Sequence, residues 1–192
     1  MRGIKFEAEL DRAFARWATT VPGGERIREC IQCGACSAAC PMSGYMDYTP
    51  RRIIALVKEG FKDEVLSSRT IWLCASCYAC AVECPQGINI TDFMYALKER
   101  AIKEGRYPKG LPTPIYAQEF ARLVRARGRS TESLLVIRAA LRLNPLRLLK
   151  LAPLGLRLLL RGRMGLRPEQ VRDRAAVRAM LTASENAKSR EE

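Results

Sequence analysis

The chain has 192 residues, enough for one or two small domains, with 48% hydrophobic residues and a formal charge of +13. It contains no histidine, which excludes a bis-histidine haem, and its start, Met1-Arg2-Gly3-Ile4-Lys5-Phe6-Glu7, lacks the apolar stretch of a secretory signal. The charge is uneven: residues 1–121 carry sixteen Lys and Arg against fourteen Asp and Glu, whereas residues 122–178 carry fifteen against three (Glu132, Glu169, Asp173).

In chain order, residues 3–18 read as a short amphipathic helix with Ile4, Phe6, Leu10, Phe14 and Trp17 as buried positions, broken by Pro22-Gly23-Gly24. A cysteine loop occupies 30–41. Thr49 then suits an N-cap and Pro50 the first helical position, before an apolar stripe of Ile53, Ile54, Leu56 and Val57 and a C-terminal Gly60. A second short helix over 62–68 uses Val65 and Leu66. After another cysteine loop, Asn89 caps a helix carrying Ile90, Phe93, Met94, Leu97 and Ile102, ending at Gly105. No alternating strand pattern occurs here.

Pro108, Pro112 and Pro114 mark a linker. Helical periods follow at about 114–127, 132–143, 146–161 and 168–183, punctuated by Gly128, Pro145, Pro153, Gly162 and Pro168. Residues 145–161 are the most apolar stretch. Arg147, Lys150, Arg157 and Arg161 interrupt it and Pro153 divides it, so it does not read as a membrane span. Ser184 to Glu192 read as a polar, disordered end.

The cysteines carry the chemistry. Cys30-x2-Cys33-x2-Cys36-x3-Cys40-Pro41 returns as Cys74-x2-Cys77-x2-Cys80-x3-Cys84-Pro85, and the two runs use all eight cysteines. This spacing is the bacterial-ferredoxin signature for cubane iron–sulfur clusters, and its duplication predicts two [4Fe–4S] centres. In two-cluster proteins the fourth cysteine of each run ligates the other cluster. Cys30, Cys33, Cys36 and Cys84 are therefore assigned to one cube, and Cys74, Cys77, Cys80 and Cys40 to its partner. Structural zinc favours paired C-x2-C units, often with histidine, and disulfides need an oxidising compartment; neither explains both spacings and both prolines. Each oxidised cube with its thiolates carries about −2, so the loaded chain retains roughly +9. The metal centres should contribute to folding in so short a region.

The segment from Cys40 to Cys74 is helical and long enough for two helices, unlike the hairpins of small bacterial ferredoxins. It resembles the α-helical ferredoxin domain of respiratory iron–sulfur subunits. The wording of the loops, Cys30-Ile-Gln-Cys33-Gly-Ala-Cys36-Ser-Ala-Ala-Cys40-Pro41 and Ile71-Trp72-Leu73-Cys74-Ala-Ser-Cys77-Tyr-Ala-Cys80, resembles the C subunit of heterodisulfide reductase and its bacterial relatives over about residues 25–105. Pro153-Leu154-Gly155 in a basic, Leu-rich tail is a weaker likeness. The resemblance implies an all-α protein: an N-terminal helix and linker (1–29), an α-helical ferredoxin domain with two clusters (30–105), and a basic helical extension for subunit docking (106–192). It also implies a cytoplasmic, non-catalytic electron-transfer subunit of an oxidoreductase complex. Such a relay passes electrons between a flavin-containing subunit and a cysteine-motif-rich catalytic subunit that holds the disulfide or sulfur site.

Small residues between the ligands (Gly34, Ala35, Ser37, Ala38, Ala39; Ala75, Ser76, Ala79, Ala81) let backbone N–H groups approach cluster sulfurs, which raises a cluster's potential. Pro41 and Pro85 fix the loop exits. Ile31, Ile71, Leu73 and Val82 are expected to exclude water, beside Gln32. Trp72 and Tyr78 read as shielding in preference to a route toward a partner's cofactor. No acid–base pair, nucleophile or phosphate loop appears, so no substrate chemistry is expected.

For the basic tail, docking on a partner subunit is favoured. Peripheral contact with an anionic membrane, leading to a quinone-linked cytochrome, is the alternative; residues 122–178 lack the aromatic anchors such helices use. Nucleic-acid binding is not expected, because two clusters and so few carboxylates do not fit a nucleic-acid enzyme. The iron–sulfur subunit of a succinate or fumarate oxidoreductase would need a [2Fe–2S] domain ahead of Cys30, where only twenty-nine residues stand.

Overall fold

The computed structural model describes residues 9–163 and 169–191, and every regular element among them is helical. The expected positions Ile4 and Phe6, and Pro168 at the start of the last period, lie outside the described residues. Contacts divide the chain into two compact units, one up to Pro108 and one from Lys109 to Arg190.

In the first unit, α1 (Arg12–Trp17) is shorter than the predicted 3–18 helix because Asp11 caps it: its Oδ1 accepts from the Phe14 N–H at 2.8 Å. Phe14 buries its ring and stacks on Trp17 at 5.4 Å. The Gly23-Gly24 turn then passes against the start of the later α7 (Ile90–Lys103). A Cβ on Gly23 would run into the Asn89 carbonyl, and one on Gly24 into the Ala18 carbonyl, so only glycine lets the chain lie there.

Two helices carry the core. α3 (Pro50–Glu59) starts at Thr49 and Pro50 and ends at Gly60, whose left-handed conformation caps it, as the sequence predicts; the Thr49 hydroxyl itself makes no cap bond. Ile53, Ile54 and Val57 are fully buried. α7 is capped by Asn89 and buries Ile90, Phe93, Met94, Ala96 and Leu97. Each large side chain of this set contributes about 1.5–3 kcal/mol by leaving water. α4 (Lys62–Leu66) and α5 (Thr70–Leu73) pack on α7, while α2 (Ala35–Ala38) and α6 (Ala79–Val82) meet each other and flank α3 and α7 respectively. The three short helices α2, α5 and α6 have too few residues for a sequence period to reveal them.

The second unit packs α8 (Pro112–Arg127) on α9 (Glu132–Leu143), with α10 (Leu146–Leu160) against α9. Pro153 does not divide the apolar stretch: α10 continues through it. α11 starts at Arg174, not at 168, because Asp173 Oδ1 accepts from the Ala176 N–H at 2.9 Å and caps it there. It runs to Glu191, so the described part of the polar end expected to be disordered, from Ser184 on, is helical. Among the described residues no helix is long and apolar enough to cross a membrane.

Candidate metal centre

Both cysteine loops follow one backbone plan. Each leaves a short turn of helix (residues 27–29, or α5) into its first cysteine, then twice takes the left-handed conformation before a four-residue helix. In the first loop Gln32 (φ 59°) and Gly34 (φ 90°) do this ahead of α2; in the second, Ser76 (φ 56°) and Tyr78 (φ 61°) do it ahead of α6. The non-glycine residues with positive φ among the described ones are these three, and all lie between cluster-type cysteines. Left-handed residues in such turns aim successive N–H groups into a concavity that suits an anion.

The loops close around two concavities. Cys30, Cys33, Cys36 and Cys84 line one, with Gln32, Gly34, Arg51 and Ile54. Cys40, Cys74, Cys77 and Cys80 line the other, with Met42, Met46, Thr91 and Met94. Each concavity thus collects three cysteines of one loop and the fourth of the other. Buried Ile90 lines both and stands between them. All eight cysteines are free of disulfides. Among the described residues no three Cys, Asp or Glu stand close enough to hold one ion.

Cys36 is buried, and Cys33 and Cys77 are exposed. Burial pushes the Cys36 thiol up to about 11, with the neighbouring Cys30, Cys80 and Cys33 acting in the same direction. Burial likewise raises Cys80, whose Sγ lies 3.5 Å from the Thr91 hydroxyl. Metal coordination must displace these protons, because a coordinating thiol is deprotonated outright. The donor set fits two [4Fe–4S] clusters: four thiols to each concavity and no carboxylate in either lining.

The surroundings repeat as well. The connection from Cys84 to Asn89 is four residues shorter than that from Cys40 to Thr49, and beyond it α7 follows α3 residue for residue. Ile53, Ile54 and Val57 correspond to Phe93, Met94 and Leu97. Lys58 corresponds to Lys98. Lys58 Nζ donates to the Cys30 carbonyl at 3.2 Å, and Lys98 Nζ to the Cys74 carbonyl at 3.5 Å, so each loop's first cysteine is held by an ammonium from the helix that follows that loop. Sequence reading missed this pair, although each Lys lies nine residues after its helix cap.

It also missed Asp47 and Thr70. Asp47 accepts from the Arg69 and Thr70 N–H groups, both at 2.9 Å, and so caps α5 from 22 residues away. The buried Thr70 hydroxyl accepts from the Tyr48 N–H at 2.9 Å and lies 2.6 Å from Asp47 Oδ1. Desolvation raises the Asp47 carboxyl, but bonds from Thr70, Arg69 and the backbone outweigh it and hold it below its ordinary value. The exit of the first loop is thereby tied to the entrance of the second.

Of the four side chains expected to exclude water, Ile71 is buried and Leu73 half-buried, whereas Ile31 (61% exposed) and Val82 (81%) face solvent. Ile31, though exposed, still lines the concavity of Cys30, Cys33, Cys36 and Cys84, whereas Val82 lines neither concavity. Trp72 is buried edge-on to Tyr107 at 6.2 Å, its indole N–H without a partner. Tyr78 is exposed, its hydroxyl donating to Asp92 Oδ1 at 2.9 Å. Gln32 Nε2 lies 3.4 Å from Cys30 Sγ.

Comparison with known proteins agrees with this geometry. Residues 26–88 match the 4Fe-4S dicluster domain family. The chain is 33% identical over 99 residues to the C subunit of the H(2):CoB-CoM heterodisulfide,ferredoxin reductase of Methanothermobacter marburgensis, covering 52% of this chain and 53% of that one. It is 38% identical over 91 residues to the C subunit of the ferredoxin:CoB-CoM heterodisulfide reductase of Methanosarcina acetivorans (47% and 36% covered). It is 36% identical over 83 residues to the iron-sulfur C subunit of the CoB--CoM heterodisulfide reductase of Methanopyrus kandleri (43% of each). The chain spans about half the length of these relatives or less. Residues 26–88 thus match the 4Fe-4S dicluster domain family, and this all-α chain, which carries two [4Fe–4S] clusters, resembles the C subunits of heterodisulfide reductases.

Proposed function

We propose that this chain is the iron–sulfur relay subunit of a heterodisulfide-reductase-like complex. It carries electrons between a flavin-containing subunit and a cysteine-motif-rich subunit with the disulfide or sulfur site, in the cytoplasm, and performs no substrate chemistry itself. The observation that carries this reading is the mixed lining of the two concavities, three cysteines from one loop and the fourth from the other. It supports Cys30, Cys33, Cys36 and Cys84 as one ligand set and Cys74, Cys77, Cys80 and Cys40 as the second. When bound, the clusters supply one-electron transfer. The residues of this chain position them: the crossed fourth cysteines keep them close, Ile90 keeps water from between them, and the left-handed turns present N–H groups that favour the reduced, more negative state.

The domain scheme 1–29, 30–105 and 106–192 belongs to the same reading, with the last segment docking on a partner subunit. α10 supports that role. It holds Leu146, Leu154, Leu156 and Leu160 more than half exposed, with Arg157 and Arg161 among them. Apolar surface of this kind calls for a partner, and the charge selects an acidic one.

Two experiments test the reading. Anaerobic affinity purification from the native cells should recover a flavoprotein and a subunit rich in cysteine motifs; recovery of a haem-bearing membrane protein in their place overturns it. For the ligands, Cys84→Ser should abolish the same electron paramagnetic resonance signal as Cys33→Ser, and Cys40→Ser the same signal as Cys77→Ser. Pairing of Cys84 with Cys77 would rule out the crossed assignment.

A further inference from the structure

The repeat of α3 and α7 about the two concavities is broken at one place. The first turn of α3 reads Pro50-Arg51-Arg52, and its counterpart in α7 reads Ile90-Thr91-Asp92. Arg51 lines the concavity of Cys30, Cys33, Cys36 and Cys84; its counterpart Thr91 lines the concavity of Cys40, Cys74, Cys77 and Cys80. No other charged side chain lines either concavity among the described residues. The Arg51 stem lies beside the first loop, within ordinary contact distance of Gly34: a Cβ there would stand 3.8 Å from Arg51 Cδ. In the second loop the matching residue is Tyr78, bonded to Asp92, the counterpart of Arg52. Equivalent positions therefore differ by two cations on one side against one anion on the other.

We infer that the two cluster sites have unequal reduction potentials, the site of Cys30, Cys33, Cys36 and Cys84 being the higher, and that Arg51 sets much of the difference. This rests on the ligand sets proposed above. An added electron is negative charge, and a nearby cation stabilises it while an anion does the reverse. The other polar contacts nearly cancel. Lys58 and Lys98 act alike on both sides. Gln32 beside Cys30 Sγ is matched by the Thr91 hydroxyl beside Cys80 Sγ. Arg26 is ion-paired with Glu29 at 2.5 Å, and exposed Glu83 lies between ligands of both sites. One electron lost at the second site is gained at the first, with no bond made or broken. At equilibrium it rests on the first.

The test is an anaerobic redox titration of the purified full chain, followed by electron paramagnetic resonance. The wild type should show about eight irons per chain and two separate waves, the upper one abolished by Cys33→Ser. Arg51→Gln should shift the upper wave downward by about threefold in the oxidised-to-reduced ratio, or about 28 mV at 59 mV per decade. Arg51→Glu should shift it about tenfold, or about 59 mV. The lower wave should stay in place, and Arg51→Lys should restore the upper one. Because Arg51 is exposed, the shift should shrink in high salt. A single wave, loss of the lower wave in Cys33→Ser, or equal shifts in Arg51→Gln and Arg51→Lys would overturn the inference. An iron content of about four per chain would instead overturn the two-cluster reading beneath it.

Discussion

The two units of this chain hold together in opposite ways. Of the twenty-three buried hydrophobic residues among the described ones, twenty lie before Pro108, and only Leu123, Ala139 and Ala140 lie in the second unit. The first unit combines that core with eight thiols that are costly to bury as thiolates and need metal. The second has a carboxylate near its centre: Glu119 accepts from Arg122 at 2.7 Å, Arg142 at 2.9 Å and Arg138 at 3.1 Å, joining α8 to α9. The first unit is organised around what it binds within itself. The second spends its apolar residues on its surface, and its helices agree with one another mainly through charge.

Removing iron should break this contrast most completely. Structural metal sites contribute on the order of ten kcal/mol to folding, more than a core of this size holds in reserve. Anaerobic chelation should therefore expose residues 26–88 to limited proteolysis while 112–160 stays protected, as mass spectrometry of the fragments would report. Equal protection of both segments would show that the first unit's apolar core suffices alone.

In the second unit the largest single loss should follow Glu119→Gln. The Glu119 side chain is 1% exposed, yet its covering arginines are 39–54% exposed, so the carboxylate is sealed by its partners more than by depth. Breaking a buried pair costs about 3–5 kcal/mol, and solvent screening of the arginines lowers the expectation to about 1–3 kcal/mol. The pH dependence has a definite sign. Desolvation raises the Glu119 carboxyl, but Arg142, Arg122 and Arg138 outweigh it and hold it below the ordinary 4.5. A group with a depressed folded value stabilises fully above the unfolded value and loses that contribution as pH falls through the folded one. The gap between wild type and Glu119→Gln in thermal melting should be widest near neutrality and close progressively below about pH 4.5. A gap independent of pH would mean that shape, not charge, holds α8 to α9.

Asp47→Ala should cost about 1–2 kcal/mol, the scale of a lost N-cap. Its sharper signature is selective: α5 leads into Cys74, so the signal assigned to the Cys74, Cys77, Cys80 and Cys40 set should broaden more than the other.

How much of this was legible in the sequence depends on the reach of the interaction. The cysteine spacing announced two cubes, and Pro50, Gly60 and Asn89 marked helix ends, because ligand runs and caps are encoded within a few neighbouring residues. Asp47 reaches across 22 residues to α5, and nothing local to Asp47 signals it. The match of Lys58 to Lys98 was hidden by the shorter second connection and by unlike residues in the first turns. Pro153 misled for a physical reason: proline removes one hydrogen bond of a helix, and α10 continues past that loss. Val82 misled because apolar character predicts burial only where there is a core face to join.

The smallest expected effect returns to the strained backbone. Among the described residues of the second unit those with positive φ are glycines (Gly110, Gly128 and Gly162), whereas the cysteine loops impose the same conformation on Gln32, Ser76 and Tyr78. For Tyr78 the left-handed conformation costs about 1–2 kcal/mol. Tyr78→Gly removes that strain but adds chain entropy to the unfolded state, about 0.5–1 kcal/mol, and loses the bond to Asp92, about 0.5–1.5 kcal/mol. The sum lies near zero. Tyr78→Ala keeps most of the strain and loses the same bond, so it should melt lower than Tyr78→Gly by about 1 kcal/mol. If the order were reversed, chain stiffness would outweigh backbone strain at this position. The second loop would then differ from the first, with its glycine at this position, in how it is held as well as in its charge.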